Sequence, residues 1–533
     1  MSQSHLNALY LERFKSFATA TKLQLAPLTI LLGRNNSGKS SLIQSLLLLK
    51  QTLAEPRPEV PLHLEGFVSA FNLRELTTGW PGAGPDVEGP AIGIEWSCEI
   101  DPGKALSEAR NPDLPHLAKH TGLAWIEDGT LSAPKVALSS TIRLSTREVS
   151  GTTQISEILL SSSRGGEEPV LRLTQTRGKW LCYWRGSLAA GLEVELDHFV
   201  PYLRIDRSKL GPRDKQRAWH NAYLILFAQP LEGLKRLLAG FQYLGSSRTL
   251  PPSLYKASNV APQEIGVSGE LAAQLLHRRQ RDVVHYALPL DVASPVSELP
   301  EVVRERPLVD AVNDVLGALS IQAPLTVEEV QEVGFRLLFG SASLLHVGRG
   351  LTYLLPLVEL GLFADPMRFV AVGRDLTRSE YTEACHEVAH VALEEPEAHL
   401  HPKVQSRLAH WLVSLALTSR RMIVETHSDH LVRRLRGLVA RAGSGTEMER
   451  WLLENVIIWE VEQDSQGCST VKSTRLTAEG SLEDRWPADF MDEASEEDSA
   501  IYYAALAKGE NGQDRIPTTL IVHDEGDEPE LAP

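Results

Sequence analysis

The chain has 533 residues, 43% hydrophobic and 23% charged, which is typical of globular proteins, and its length predicts two or three lobes. A formal net charge of −16 excludes a surface that is basic throughout, so any nucleic-acid contact has to use a local patch. Four scattered cysteines disfavour a zinc site or disulfide framework, and no signal peptide or membrane span is recognisable, so we expect a soluble cytoplasmic protein with no membrane partner.

The first chemistry-bearing pattern lies near the N-terminus. Apolar residues at 6–14 and 28–32 predict two strands, and residues 42–49 predict a helix. Between the second strand and the helix, the sequence fits G-x-x-x-x-G-K-[ST], the pattern of a phosphate-binding P-loop. The residues of this loop are Gly33, Arg34, Asn35, Asn36, Ser37, Gly38, Lys39, Ser40 and Ser41.

In a loop of this kind, the backbone amides and the helix N-terminus face the phosphates of a nucleotide. We expect Lys39 to neutralise the β- and γ-phosphates and the Ser40 hydroxyl to ligate magnesium. The predicted cofactors are therefore ATP and Mg²⁺. The residues of the loop that are predicted to bind the nucleotide are Gly33, Asn35, Asn36, Ser37, Gly38, Lys39, Ser40 and Ser41.

The character of the sequence changes twice in the middle of the chain. Short β-type runs separated by Gly, Ser and Pro occupy residues 91–205 and predict an antiparallel β lobe. Helical periodicity returns over residues 224–238, 269–287 and 302–319, which predicts a helical lobe.

A later apolar strand, residues 388–393, ends in the paired acids Glu394 and Glu395. Acids at the carboxyl end of a strand face the P-loop in a parallel α/β sheet. We expect Glu394 to hold the hydration shell of the magnesium and Glu395 to polarise the attacking water as general base. Two carboxylates this close to each other need a cation that offsets their repulsion.

Two further segments complete the candidate site. Another strand starts at Met422 and ends in polar residues, and the following His427 is predicted to contact the γ-phosphate. Upstream, a glycine turn precedes a helix predicted over residues 352–363. There Gly348, Gly350 and Thr352 offer backbone amides and a hydroxyl to a phosphate.

The order of these motifs resembles the ABC-type ATPases of the RecF, SMC and OLD-like class. A P-loop is followed by Glu-Glu-Pro-Glu-x-His-Leu-His-Pro from Glu394, and then by Glu-Thr-His-Ser from Glu425. Glu394 replaces the usual aspartate, as is common in OLD-like proteins, and Thr352 replaces the serine of a Gly-x-Gly-x-Ser signature. Residues 245–248 and 264–270 also resemble OLD-like ATPases, whereas residues 364–387 exceed the usual connection and have no assigned function.

The resemblance implies an α/β fold, with a P-loop ABC-type ATPase head built on a mixed β-sheet, an antiparallel β lobe and a helical lobe. The expected division is an N-terminal ATPase part with the P-loop (1–90), the β lobe and its connection (91–240), the helical lobe (241–345), the part with the signature, paired acids and histidine (346–450), and C-terminal strands with an acidic tail (451–533).

The resemblance further implies an ATP-hydrolysing switch that acts as a homodimer or a higher even oligomer. The expected setting is prokaryotic antiphage defence or DNA surveillance with a separate nuclease effector, similar to Septu-type ATPases. The alternative is a RecF-like clamp that loads on DNA itself, through basic segments at 213–217, 278–281 or 433–436. A self-contained nuclease is disfavoured, because no Toprim-like acids follow His427, and a transporter ATPase fits the β-rich insertion poorly.

Overall fold

A computed structural model describes residues 4–79, 87–108, 133, 135–164, 170–205, 213–290, 298–331 and 333–483. The chain divides into a compact unit, Met1–Arg485, and a second unit, Trp486–Pro533. The second unit, with the predicted acidic tail, lies outside the described residues.

The described strands of the protein are β1 (His5–Glu12), β2 (Thr21–Gln24), β3 (Leu28–Leu32), β4 (Val87–Ile100), β5 (Val136–Val149), β6 (Thr152–Ser163), β7 (Val170–Thr176), β8 (Lys179–Trp184), β9 (Ser187–Leu188), β10 (Leu192–Asp197), β11 (Val200–Ile205), β12 (Gln242–Leu244), β13 (Val283–Tyr286), β14 (Val302–Pro307), β15 (Leu325–Val330), β16 (Gly334–Phe339), β17 (Ala342–Ser343), β18 (Leu376–Thr377), β19 (Ala389–Glu394), β20 (Arg420–Glu425), β21 (Val456–Gln463) and β22 (Ser469–Thr474).

The described helices are α1 (Lys39–Ala54), α2 (Pro102–Glu108), α3 (Arg213–Tyr223), α4 (Gln229–Ala239), α5 (Ala272–Arg279), α6 (Leu308–Ala318), α7 (Arg349–Phe363), α8 (Arg378–Ala384), α9 (Pro402–Leu417), α10 (Asp429–Arg441) and α11 (Glu447–Asn455). A π-helical turn, Leu224–Ala228, joins α3 to α4.

The sheet that carries the candidate site has the strand order β12-β19-β20-β3-β21-β22. Its strands are parallel except for β22, which is antiparallel to β21. All five residues of β3 are buried, as expected for a strand covered on both faces, where the sequence becomes a continuous apolar run. Because β19, β20 and β3 run in the same direction, their carboxyl ends meet at one edge of the sheet.

A second sheet is antiparallel and has the order β2-β1-β4-β5-β6-β7-β8-β9. Of the antiparallel strands in residues 91–205, β4 to β9 lie in this sheet, which β1 and β2 from the N-terminal segment extend. The strands β10 and β11 pair only with each other. The helix α1 is buried over most of its length, including Leu42 and residues 46–49, which is typical of a helix enclosed by protein. One hydrophobic cluster joins this helix to the antiparallel sheet and to α4.

The prediction of a helical lobe for residues 241–345 is wrong in one respect, because the segment contains strands as well as helices. Residues 269–287 form α5 and then β13, and residues 302–319 form β14 and then α6. β13 pairs with β14 in an antiparallel register. The valines at the start of β14 favour a strand, and Pro307 lacks the N–H that a helix continued through it would need.

Residues 364–387, for which the sequence offered no function, are anchored by a buried carboxylate. Asp365 accepts hydrogen bonds from the backbone N–H of His285 at 2.8 Å and from the Tyr381 hydroxyl at 2.9 Å. The Arg420 guanidinium lies 3.7 Å from the same carboxylate. Arg420 is the first residue of β20, so this buried network fixes the amino end of the strand whose carboxyl end enters the candidate site.

The helix α7 contains a carboxyl group without a partner. Glu359 is 0% exposed, neither carboxyl oxygen has a hydrogen-bond partner, and burial raises its pKa well above the ordinary value of 4.5. The folded state therefore binds this proton more tightly than the unfolded chain does. Because the folded state binds more protons, the free energy of unfolding falls as the pH rises above about 4.5.

We expect Glu359→Met to raise the free energy of unfolding by about 1 to 3 kcal/mol at pH 8. The gain should be smaller at pH 5, close to the ordinary pKa of 4.5, because the loss of stability that the raised pKa causes builds up as the pH rises from there to pH 8. Urea unfolding at the two pH values measures both effects. Glu383→Met, on the exposed side of α8, is the control and should stay within about 0.5 kcal/mol. If Glu359→Met lowers the stability at both pH values, the carboxyl group has a stabilising partner.

Candidate nucleotide-binding site

The P-loop motif lies between β3 and α1, as the sequence predicts. Gly33, Asn36 and Gly38 have positive φ angles of 146°, 65° and 105°. A Cβ atom on Gly33 would lie 2.2 Å from the carbonyl oxygen of Val461 in β21, so a side chain cannot be accommodated there. The loop therefore depends on glycine for a close approach to the neighbouring strand, and it ends at the N-terminus of a 16-residue helix.

The side chain of Lys39 is folded back over this loop. Its Nζ donates hydrogen bonds to the carbonyl oxygens of Gly33 at 2.9 Å and Arg34 at 2.8 Å. Burial lowers the pKa of Lys39, whereas the carboxylates of Glu425, Glu395 and Glu397 oppose that shift. The ammonium group is thus held at the centre of the loop, where it faces the acids of the neighbouring strands.

The other predicted loop residues differ in exposure. Asn35 and Asn36 are exposed, Gly33 and Ser37 are buried, and Gly38, Ser40 and Ser41 are half-buried. Ser37 Oγ is buried without a hydrogen-bond partner, and the Ser37 carbonyl accepts a hydrogen bond from Ser469 Oγ at 2.5 Å.

The paired acids follow the end of β19. Glu394 is its last residue, and one of its carboxyl oxygens accepts a hydrogen bond from the Ser246 N–H at 3.3 Å, while the other oxygen has no partner. Burial raises the pKa of Glu394. Glu395 has a positive φ of 44°, and its N–H donates to the Glu425 carbonyl at 2.8 Å. The turn therefore ties the two acids to the end of β20.

Glu425 is a site residue that the sequence motifs do not predict. The Ser40 hydroxyl donates to Glu425 Oε1 at 3.0 Å, whereas the sequence pairs Ser40 with Glu394 as ligands of magnesium. The second Glu425 oxygen is buried without a partner, and burial, followed by the charge of Glu394, raises the pKa of Glu425 to about 7. A signal was present, because Glu425 ends an apolar strand as Glu394 does, and the two residues are direct partners in the parallel register.

The loop after β20 carries His427, which is half-buried. The backbone N–H of His427 donates to Glu397 Oε1 at 2.7 Å, and the other Glu397 oxygen is buried without a partner. Burial lowers the pKa of His427, and the charge of Lys39 adds to that shift. Glu397 thus holds the loop of His427 beside Lys39 of the P-loop. The lowered pKa favours the neutral imidazole of His427, in which one ring nitrogen donates a hydrogen bond and the other accepts one.

The predicted glycine turn is the start of α7 itself, because Gly348 is its N-cap and the helix begins at Arg349 rather than at Thr352; this segment does not meet the P-loop of the same chain. α7 packs on β12, and β12 is separated from β3 by β19 and β20, which corresponds to about 14 Å at normal strand spacing. A Cβ atom on Gly350 would lie 2.8 Å from the His399 carbonyl oxygen. Thr352 is only 6% exposed, whereas Gly348 is exposed and has no atom within 4 Å of its Cβ direction.

The residues at this sheet edge fit a magnesium ion held together with phosphates. In the described ranges, no group of three or more His, Cys, Asp or Glu side chains is arranged to hold a metal ion by itself. Magnesium usually takes one or two carboxylates and completes its shell with phosphates and waters. Glu425, which contacts the Ser40 hydroxyl, and its register partner Glu394 each have a buried oxygen without a partner, and these oxygens are suited to that arrangement.

The candidate DNA-contacting arginines are partly engaged within the protein. Arg279 lies 3.0 Å from Asp282, and Arg433 lies 3.3 Å from Asp429. For residues 213–215 only the backbone belongs to the described part. Within the described ranges, no helix is both long enough and apolar enough to cross a membrane.

Comparisons with known proteins agree with this geometry. Residues 380–432, which include β19, β20 and the polar residues that follow each of them, match the AAA ATPase domain. With the strand, loop and helix of residues 28–54, this match identifies the protein as an ATPase. Among curated proteins, none matches the chain.

Solved structures similar to this chain include SMC head domains. An SMC head bound to the C-winged helix domain of ScpA is 11% identical, with 89% of this chain and 98% of that chain covered and a TM-score of 0.36. The SMC head domain from Thermotoga maritima is 11% identical, with coverage of 88% and 98% and a TM-score of 0.32. A Pyrococcus furiosus Smc head with an extended coiled coil, bound to the C-terminal domain of ScpA, is 10% identical, with coverage of 94% and 100% and a TM-score of 0.35.

Proposed function

We propose that this ATPase binds and hydrolyses ATP with Mg²⁺ as a dimeric nucleotide switch of the ABC type, in the RecF, SMC and OLD-like class. The observation that carries the proposal is the meeting of three strand ends at one sheet edge. There Ser40 Oγ and Lys39 Nζ, after β3, lie 3.0 Å and 4.0 Å from Glu425 Oε1 at the end of β20, and Glu425 is the register partner of Glu394 in β19. Both of these carboxylates have a buried oxygen without a partner.

In this proposal the P-loop binds the phosphates of ATP. Lys39 exchanges its hydrogen bonds to the Gly33 and Arg34 carbonyls for bonds to the β- and γ-phosphates. The N-terminus of α1 contributes partial positive charge. The remaining phosphate-binding residues are Gly33, Asn35, Asn36, Ser37, Gly38, Ser40 and Ser41.

Ser40, Glu394 and Glu425 would hold the magnesium ion. Bound magnesium neutralises charge on the β- and γ-phosphates. Glu425 enters this set because its carboxylate touches the Ser40 hydroxyl.

Glu395 and His427 act on the attacking water and the γ-phosphate. The charge of Glu395 acts on both Lys39 and His427, which supports a role for Glu395 beside the γ-phosphate. Glu395 is only half-buried, so water has access to it. We assign the general-base role to Glu395 and the γ-phosphate contact to His427.

The proposed active form is a dimer or a higher even oligomer. Gly348, Gly350 and Thr352 lie on the β12 side of the sheet, away from the P-loop of their own chain. A second copy can bring the exposed Gly348 end of α7 to that loop. The close approach of Gly350 to His399 makes Gly350 a structural position, so Gly348 is the better residue to alter in a test of the interface.

We expect Gly348→Trp to lose most ATP turnover and Lys39→Ala to do the same, because each damages both sites of a dimer. A mixture of the two variants should recover part of the activity, since one of the two composite sites then contains neither change. Phosphate release from ATP, measured on each variant and on mixed dimers isolated with two affinity tags, tests this. Activity in Gly348→Trp alone, or none in verified mixed dimers, would contradict the composite site.

The proposed biological role is antiphage defence or DNA surveillance, in which the ATPase drives a separately encoded nuclease. It is supported by the resemblance of the Glu-Glu-Pro-Glu and Glu-Thr-His-Ser motifs to OLD-like and Septu-type ATPases. The alternative is a RecF-like clamp that loads on DNA itself. ATP-dependent retention on closed circular DNA would favour the clamp, and DNA cleavage by the purified chain with ATP and Mg²⁺ would contradict both.

A further inference from the structure

An arginine beside the paired acids has hydrogen-bonding capacity that the chain does not use. Arg248 follows β12, and its Nη2 donates to the carbonyl oxygen of Glu394 at 3.0 Å. The residue is 6% exposed. Its Nε and Nη1 atoms are both buried and have no hydrogen-bond partner.

A buried guanidinium with two unpartnered nitrogens destabilises the folded protein unless another group accepts their hydrogen bonds. A guanidinium group has five N–H donors, and a buried charge without full hydrogen bonding destabilises a protein. Burial lowers the pKa of Arg248 to about 10, so the group still carries its charge at neutral pH. An anion with several oxygens in one place would satisfy the two free nitrogens.

The neighbouring carboxylate of Glu394 does not accept hydrogen bonds from these two nitrogens. The Glu394 carboxylate accepts from the Ser246 N–H through one oxygen, and its other oxygen has no partner. Arg248 therefore contacts the main chain of Glu394 and leaves both oxygens of its carboxylate unbonded by the guanidinium. Because β12 pairs with β19, the guanidinium lies, like Glu394 and Glu425, at the carboxyl ends of the parallel strands. It is on the opposite side of β19 from the P-loop.

We propose that Arg248 binds the terminal phosphate of the nucleotide held by its own chain, so that the site distinguishes ATP from ADP. The inference rests on the proposed ATP site. There Lys39 holds the phosphate chain at β3, while Arg248 reaches its end from beyond the acids of β19. The planar fork of arginine matches a phosphate in a bidentate way. Its positive charge also offsets the crowding of the γ-phosphate against Glu394, Glu395 and Glu425.

The test compares the affinities of ATPγS and ADP, each with Mg²⁺, by titration calorimetry. In Arg248→Gln, we expect the affinity for ATPγS to fall by about 10- to 100-fold, the loss of one or two charge-assisted hydrogen bonds. The affinity for ADP should stay within about twofold, since ADP lacks the phosphate that Arg248 binds. Arg248→Lys should lose an intermediate amount, because the charge remains and the fork does not.

Arg421→Gln is the matched control. Arg421 is another largely enclosed arginine with one hydrogen bond to a carbonyl, from Nη2 to Leu25 at 3.0 Å, and an unpartnered Nε. Arg421 is the second residue of β20, so it lies at the amino ends of the parallel strands, away from the candidate site at their carboxyl ends. This variant should leave the ratio of the two affinities unchanged, whatever it does to stability.

The outcomes separate the two proposals. An equal loss of ATPγS and ADP binding in Arg248→Gln, or no loss, would overturn the role of Arg248 while leaving the ATP site intact. If the wild-type chain binds neither nucleotide, the proposed function itself fails. Should Arg248→Gln not fold, an unchanged affinity ratio in folded Arg248→Lys would equally overturn the inference. Recovery of ATPγS affinity in Arg248→Ala on addition of guanidinium ion would support it.

Discussion

Lys39→Ala is expected to reduce ATP turnover by about 100-fold or more, the cost of removing one preorganised charge from a transferring phosphoryl group. The side chain is buried and donates hydrogen bonds to the Gly33 and Arg34 carbonyls, so its charge is already held inside the loop. Nucleotide affinity should fall as well, because the lysine contacts the phosphates in the ground state. Phosphate release and binding of a fluorescent ATP analogue measure the two effects.

The control for this prediction is Lys22→Ala. Lys22 pairs with Glu95 at 2.9 Å on the antiparallel sheet, and it is partly exposed. Its removal should leave turnover within about twofold, because surface ion pairs contribute little. Wild-type turnover in a folded Lys39→Ala protein would show that the loop after β3 is not the phosphate site.

Glu395→Gln is expected to keep ATP binding and to lower hydrolysis by about 10²- to 10⁴-fold, the usual contribution of a general base. The amide keeps the size of the side chain and its turn at φ 44°, but it cannot accept a proton from water. Single-turnover hydrolysis and equilibrium binding, measured on the same preparation, separate the two steps. The variant should therefore accumulate in the ATP-bound form.

Glu397→Gln is the matched comparison for Glu395→Gln. One oxygen of Glu397 accepts a hydrogen bond from the backbone N–H of His427, and a glutamine oxygen can do the same. We therefore expect Glu397→Gln to lower the rate of hydrolysis by less than about tenfold. If Glu397→Gln stops hydrolysis and Glu395→Gln does not, the general base is Glu397. The structure makes this comparison informative, because the charges of both acids act on Lys39.

Several parts of the site could be predicted from local sequence because their chemistry is local. The spacing of Gly33, Gly38 and Lys39 defines a P-loop within nine residues, and the apolar runs before and after it define β3 and α1. The acids Glu394 and Glu395 could likewise be located at a strand end from their position after an apolar run. Side chains that act within one turn of their own element leave a pattern that a sequence displays directly.

Other parts depended on which elements become neighbours. Ser40 meets Glu425, 385 residues away, because β20 inserts between β3 and β19, and no local spacing records that order. The strands β13 and β14 were hidden inside predicted helices, since their stability comes from pairing with each other rather than from periodicity.

The sequence by itself determined that the chain contains a P-loop motif between a strand and a helix, paired acids at a strand end and a histidine after a third strand. Only the tertiary structure decided that Glu425 touches Ser40, that Gly350 packs on His399, and that Arg248 carries free donors beside the acids. The physical reason is that hydrogen bonding and burial of these groups depend on contacts between segments about 50 to 400 residues apart, whereas motifs and strand propensity are set by residues within a few positions of one another.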